Sequence, residues 1–413
     1  MKFRLSSDTF PEIDLAKEDM ENMETMAASI VDAAIDVFER LQLSKSEMFA
    51  KRWKPIKRIS DVTLYEDSSM RQRVKKKTIL NGASGIYPLM AHGTTPGELN
   101  EIMFGLLNPT REEMLAISAC TGSYITDCAE LASIITPTLK NPLRSLQIKW
   151  SLLEKGPTLA SYLIRPRDFV YLESTGIALD SSGQYVGYSL FHSVTITGVR
   201  ELHEYQIVRA HMSFCRLFRQ KSEGQIETFM TGCVDAMGYW DQIYTSIVMT
   251  QIANTLLTFQ RLLLNGRMKK LAWMLRTKKN FEDSSNKSSN VCNSCGRHIG
   301  CFSYRWRNCK LCSNVLCPHC RVPLRVAWKF CDNRKMLLKA KITKSKTQLE
   351  KTFLCRLCLW KIDRIDALDV ANDMIGRTLP LLVSEVGVAT TSATSIFSLI
   401  NSDRFDRDCF FHI

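Results

Sequence analysis

No apolar, charge-free run of about 18 residues occurs in the 413-residue chain, so no membrane-spanning helix is expected. The nearest approach, 243–264, holds Gln251, Asn254, Gln260 and Arg261 and reads as a buried amphipathic helix. The stretch 379–400 is mildly apolar but carries Glu385 and many Ser and Thr. The opening Met1-Lys2-Phe3-Arg4-Leu5-Ser6-Ser7-Asp8 lacks the apolar core of a secretory signal. Phosphate-loop and dinucleotide-binding glycine patterns are missing, and so is the Gly-x-Ser-x-Gly of serine hydrolases. Nothing in the sequence orients the carboxylates Asp127 with Glu130 or Asp235 with Asp241, or gives His192, His203 and His211 a nucleophile. These absences argue against an enzyme. Acids are scarce in one place: between Cys292 and Lys361 only Asp332 and Glu350 occur, against 16 Lys and Arg.

What is there is unevenly placed. Hydrophobic residues make up 45% and charged residues 23%, enough for folded cores and too little charge for wholesale disorder. Of the 15 cysteines, ten lie between Cys292 and Cys358. Eight of these form Cys-x-x-Cys pairs: Cys292/Cys295, Cys309/Cys312, Cys317/Cys320 and Cys355/Cys358. Such a pair sets two thiolates on one tetrahedral Zn²⁺, so four pairs satisfy two structural zincs with no open position. Cys301 and Cys331 are left over, and either could replace a ligand. The same segment carries a basic excess that matches the net +13 of the whole protein to within one charge. Eight thiolates on two Zn²⁺ would remove about four units and still leave a cationic surface. Within it, 335–351 reads as a basic insertion. A second basic run, Arg71 to Lys77, reads as a solvated face.

Periodicity organises the rest. Apolar residues recur at helical spacing from Met20 to Leu43. Helices are also expected from Thr95-Pro96-Gly97 to about Leu107 and, after Pro109, to Ala119. From about Ser145 the period changes to two: 147–152, 168–175, 185–196, 210–219 and 226–233 read as strands joined by the turns Asp180–Gly183 and Lys221–Gly224. A run of hairpins makes the sheet antiparallel. A long helix, about Tyr239–Arg276 with a break near Asn265-Gly266, closes the series. The expected fold class is α+β, with a curved antiparallel sheet packed on a long C-terminal helix. The expected divisions are a helical and basic region 1–80, a sheet domain 81–277, a linker 278–290, a cysteine module 291–362 and a tail 363–413.

Cys309-Lys-Leu-Cys312-Ser-Asn-Val-Leu-Cys317-Pro-His-Cys320 resembles the centre of a FYVE zinc finger. Thirteen residues separate Cys295 from Cys309, a fitting distance, and 34 separate Cys320 from Cys355, which accommodates the insertion. The resemblance implies cross-braced zincs: Cys292, Cys295, Cys317 and Cys320 on one, Cys309, Cys312, Cys355 and Cys358 on the other. The family's phosphoinositide site aligns with Arg305-Trp306-Arg307-Asn308-Cys309-Lys310. Arg305, Arg307 and Lys310 keep its charge and are the anion-binding candidates. Its paired histidines and the Trp-x-x-Asp lead before Cys292 are missing. Ile299, Cys301 and Phe302 stand where a membrane-inserting tip would be. A RING ubiquitin ligase is also cross-braced, but it needs Cys-x-His-x-x-Cys, and His319 here adjoins Cys320.

Ile148-Lys-Trp150, Arg165-Pro-Arg-Asp-Phe-Val-Tyr-Leu-Glu173, Gly187-Tyr-Ser-Leu-Phe-His-Ser193, Arg209–Phe218 and Lys269-Lys-Leu-Ala-Trp-Met-Leu275, in that order before a finger, resemble a START-like domain of the oomycete START–FYVE family. The resemblance spans about 80–276 and implies a helix-grip fold with a hydrophobic lipid ligand. Tyr171, Tyr188, Leu190, His192, Met212, Phe214, Phe229, Ile247 and Leu256 are the candidate pocket residues. Alternation alone does not say which of them face inward. Arg165 and Arg167 are candidates for a headgroup or for pairing with Glu173. The function expected is non-enzymatic lipid binding, transfer or sensing in the cytoplasm, peripheral on endomembranes. The finger would meet anionic membrane, phosphoinositide or a protein partner. The alternative is a protein- or nucleic-acid-interaction scaffold with a degenerate pocket, although no specific nucleic-acid motif is present.

Overall fold

Where strands succeed one another through tight turns, neighbours in sequence become neighbours in the sheet, and most of this chain follows that rule. The structure is a computed structural model, and it describes residues 9–11, 13–43, 52–68, 87–121, 125–153, 165–235, 237, 259–277, 291–299, 308–327 and 349–382. The main sheet is built from β1 (Trp53–Ile59), β2 (Asp61–Asp67), β3 (Tyr87–Pro96), β4 (Ile125–Ile135), β5 (Ser145–Leu153), β6 (Arg167–Leu179), β7 (Tyr185–Ser193), β8 (Val208–Arg209), β9 (His211–Ser222) and β10 (Gln225–Asp235). Their order is β1-β2-β3-β10-β9-β7-β6-β5-β4, and the two-residue β8 adds to β6. All pairings are antiparallel except β6 with β8.

Helices cover both faces. α1 (Lys17–Leu43) lies on one face, with Met23, Ala27, Val31, Ala34 and Phe38 buried against Trp150, Leu172, Leu190, Leu217 and Phe229. Phe38 stacks on Phe229 with centroids 5.1 Å apart. α2 (Leu99–Leu106) and α4 (Phe259–Arg276) lie on the other face, and α3 (Arg111–Thr121) packs beside β4. Strand alternation assigns each residue to one face or the other. In β9, Cys215 and Leu217 meet the α1 layer, while Phe214 and Phe218 meet the α2/α4 layer.

Two glycines let α2 and α4 cross closely. A Cβ on Gly105 would stand 2.2 Å from the Leu262 carbonyl oxygen, and one on Gly266 would stand 2.2 Å from that of Glu101. The expected break near Asn265-Gly266 is therefore a helix contact: α4 runs unbroken through it. The proposed extent 239–258 lies outside the described residues.

Other boundaries differ from expectation. β1 and β2 belong to the sheet, although 1–80 reads as helical and basic. β1 is an edge strand whose Lys54 and Arg58 face solvent, a device that blocks further pairing. Phe10, in a segment that reads as loose, packs on Trp150 with centroids 5.5 Å apart. Residues 87–96 form a strand that ends at Pro96, so the helix expected from Thr95 begins at Leu99. The module ends in α5 (Arg356–Arg364), and the helix expected at 365–375 is α6 (Ala367–Leu382). Ala367, Val370 and Ala371 of α6 sit in the same core as α2 and α4, and Trp273 donates to Asp373 at 2.6 Å. The linker 278–290 lies outside the described residues.

The cysteine module adds β11 (Arg321–Ala327) paired with β12 (Leu349–Cys355). It shares α4 with the sheet domain. Met268, Leu271 and Met274 of α4 share a core with Leu311, Leu316, Leu354 and Ile362. Arg267–Asp363 at 2.5 Å and Lys270 to the Ile365 carbonyl at 3.2 Å reinforce the seam. No helix among the described residues is long and apolar enough to cross a membrane.

Candidate functional site

The cysteines come together as two tetrads. Cys292, Cys295, Cys317 and Cys320 form one, and Cys309, Cys312, Cys355 and Cys358 the other; within each, all sulfurs lie within 4.8 Å of one another. Small backbone knuckles hold the first two pairs. Gly296 N–H donates to the Cys292 carbonyl at 2.8 Å, and Ser313 N–H to that of Cys309 at 2.9 Å. Gly296 (φ 69°) and Ser313 (φ 58°) take the left-handed conformation that closes each knuckle. The fourth pair opens α5, where the Cys355 sulfur caps the helix by accepting from Cys358 N–H at 3.3 Å. Cys295 and Cys317 sulfurs are 3.7 Å apart, and those of Cys312 and Cys355 3.8 Å. A tetrahedron with arms of about 2.3 Å has edges of about 3.8 Å, so four thiolates at this spacing fit zinc. A disulfide would need about 2.05 Å. The first pair joins the third and the second joins the fourth, which is the cross-brace arrangement.

Cys301, Cys331, Arg305, Arg307 and Phe302 lie outside the described residues. Lys310 is exposed on its knuckle. Ile299 is buried at 6% exposure in the module core and forms no protruding tip.

The pocket candidates divide between the two faces of the sheet. Tyr171, Met212 and Phe214 lie on the α2/α4 side. Tyr188, Leu190 and Phe229 pack in the α1 core, and His192 shares their face, its Nδ1 2.8 Å from Ser213 Oγ. Those four lie on the side of the sheet that α1 covers. Ile247 and Leu256 lie outside the described residues. Arg165 and Arg167 do not pair with Glu173: Arg167 donates to the Met237 carbonyl at 3.3 Å, and Glu173 binds Lys149.

Sequence reasoning missed how polar the α2/α4 face is. Toward β3, β10 and β9 it is apolar: Leu64, Leu89, Ala91, Met230, Val234 and Phe218. Toward β4–β7 it carries Glu130, Gln147, Lys149, Ser151, Glu173 and Ser189, and Arg216 of β9 joins them. Lys149, 1% exposed, pairs with Glu173 at 3.1 Å and donates to the Asn108 carbonyl at 2.9 Å. Lys269 donates to the carbonyls of Phe104 and Leu107, and Asn265 to that of Gly105. These groups cap the C-terminal carbonyls of α2, where positive charge is favoured by the helix dipole. Burial lowers the pKa of Lys269 from its ordinary value. The sequence held a usable sign. Ile148 and Trp150 are apolar, so alternation puts Lys149 with Gln147 and Ser151 on the other face of a strand that is paired on both sides.

Beside this polar half is a small apolar cluster: Phe169, Tyr171 and Ala210, with Leu153, Phe191 and Met212 against them. Among the described residues no helix contributes to it. A separate groove of about 850 Å³ lies where β7 begins and β9 ends, lined by Leu99, Ser182, Gln184, Tyr185, Arg219, Gln220, Lys221 and Glu227. Most of its lining residues are polar or charged, unlike those of an acyl-chain cavity.

No protein-family model and no curated protein matches the sequence. Among solved structures, human StAR-related lipid transfer protein 5 aligns at 14% identity over 59% of this chain and 97% of that one, with a TM-score of 0.39. Human STARD10 aligns at 10% identity over 67% and 89%, with a TM-score of 0.37. A STAR-related lipid transfer protein fragment from Xanthomonas axonopodis aligns at 11% identity over 51% and 98%, with a TM-score of 0.33. Likeness at this level carries no weight by itself. The interpretation rests on strand order, helix placement and the residues above.

Proposed function

We propose that the chain is a non-enzymatic lipid-binding protein of START-like, helix-grip design, with a zinc-braced FYVE-like module docked on its closing helix. The observation that carries this is the division of the inner sheet face. A buried aromatic cluster, Phe169 and Tyr171 with Phe191 and Met212, adjoins buried charges, which suits an amphiphile better than it suits a plain core. The strand order and the helices α2 and α4 across one face support the helix-grip reading. Two Zn²⁺ held by the tetrads would be structural, because four thiolates leave no open position. Cytoplasmic, membrane-peripheral action follows as part of the same reading.

The module also suits contact with an anionic membrane. α5 turns Leu357 and Trp360 outward, 60% and 51% exposed, with Arg356, Lys361 and Arg364 around them. An apolar and aromatic ridge framed by cations is the pattern of interfacial helices. Lys310 adds to the charge, while specific phosphoinositide recognition lacks the family's paired histidines.

Transfer of fluorescent lipids, one single-chain and one two-chain, between vesicles by the zinc-loaded full chain tests the pocket. Flotation with phosphatidylserine vesicles tests the module. Transfer at the rate of buffer alone would remove the first half, and no flotation would remove the second.

A further inference from the structure

Arg216 stands apart from the other arginines that reach into the sheet. Arg209 grips Asp168 with two bonds of 2.9 and 3.0 Å. Arg219 pairs with Glu227 at 2.6 Å, and Arg111 with Asp127 at 2.5 Å. Arg216 is only 8% exposed, yet its Nε has no hydrogen-bond partner. Glu173, the carboxylate that senses its charge, is already engaged by Lys149 at 3.1 Å. What holds the guanidinium is the face of Phe191, 5.1 Å from its centre. Directly across the β9–β7 ladder stands Ser189, fully buried, its Oγ also without a partner. Side chains of directly opposed strand residues share a face. Among the described residues, the Arg216 Nε and the Ser189 Oγ therefore share one face with no hydrogen-bond partner.

Buried polar groups are nearly always satisfied, and a buried cation without an anion is costly. A pair left open beside Phe191 calls for a ligand oxygen. We infer that Arg216 and Ser189 form the seat for an acidic head, carboxylate or phosphate, of a single-chain amphiphile whose apolar part lies on Tyr171, Phe191 and Met212. The guanidinium supplies a charge-assisted bond and the hydroxyl a second, neutral one. Both groups are fixed by the ladder before any ligand arrives, so little ordering entropy opposes binding. This rests on the lipid-pocket reading and names the chemical class that the pocket takes.

The test uses the full, zinc-loaded chain and three probes of equal chain length: a fluorescent fatty acid, the matching lysophosphatidic acid and the matching neutral monoacylglycerol. At least one acidic probe is expected to bind about tenfold or more tighter than the neutral one. The stronger of the two acidic probes identifies carboxylate or phosphate as the head. Arg216→Met should erase the preference for the acidic head, with a melting temperature equal to or above wild type. Ser189→Ala, which removes one buried hydroxyl, should weaken the acidic probe about fivefold. Equal binding of acidic and neutral probes would overturn the seat and leave the pocket standing. So would an acidic preference that survives Arg216→Met. Binding of none of the three would overturn the pocket itself, and the seat with it.

Discussion

The two faces of the one sheet are built on different principles. Against α1 the contacts are apolar and continuous: Phe38 on Phe229, Phe10 on Trp150, with Leu172, Leu190 and Leu217 fully or almost fully buried between. Against α2 and α4 the same strands present Lys149, Glu173, Ser189 and Arg216, all at most 9% exposed. The first face is a core, stabilised by apolar area at about 25 cal/mol per Å². The second keeps charges out of water, which costs stability unless each is paired. On that second face the Arg216 Nε and the Ser189 Oγ have no partner among the described residues, which is why the proposed seat is placed there.

Metal removal should separate the faces most strongly. The α4 residues Met268, Leu271 and Met274 share a core with the tetrads, whereas α1 touches neither tetrad's core. A structural zinc contributes about 10 kcal/mol or more to folding of its module. Chelation is expected to unfold the module and speed hydrogen exchange in α4 and α2 while α1 and β5–β7 stay protected. Equal loss of protection on both faces would contradict a division of this kind.

Single substitutions come next. Phe38→Ala should cost about 3–5 kcal/mol in urea unfolding, with no partner change able to restore it. Lys149→Met should cost a similar 3–5 kcal/mol, because the buried Glu173 loses its direct ion pair. Here the double change Lys149→Met with Glu173→Leu should recover most of the loss. Failure of that rescue would mean that the pair is held by more than its own charge balance.

The smallest effect concerns His192 on the α1 side. Burial lowers its pKa from 6.5 to about 4. Between those values the unfolded chain binds the proton and the folded one does not, so stability rises with pH from about 4 to 6.5. His192→Gln should flatten that slope, a change on the order of 2 kcal/mol in stability at pH 4 relative to pH 7. An unchanged slope would place the titrating group elsewhere.

The contrast also explains what could be read without coordinates. α1 and the strands β5, β6, β7, β9 and β10 follow a clean apolar period, and each appears within a few residues of its expected place. The cysteine pairs are legible because Cys-x-x-Cys spacing is itself a chemical requirement. β4 hides because three register shifts break its alternation. β1 hides because an edge strand protects itself with the same Lys and Arg that mark a solvated segment. Four of the nine pocket candidates lie on the α1 face, since a period of two defines two faces and leaves open which one α1 will claim. Lys149 and Arg216 escaped notice for the converse reason: a charged residue in a strand reads as outward, and here both point in.

Native mass spectrometry of the 413-residue chain, purified under non-denaturing conditions, tests the central claim most directly. The account predicts the mass of the chain with two zinc ions plus that of one amphiphile, released on denaturation and regained on incubation with lipid vesicles. A species carrying two zincs and nothing else, before and after that incubation, would contradict it.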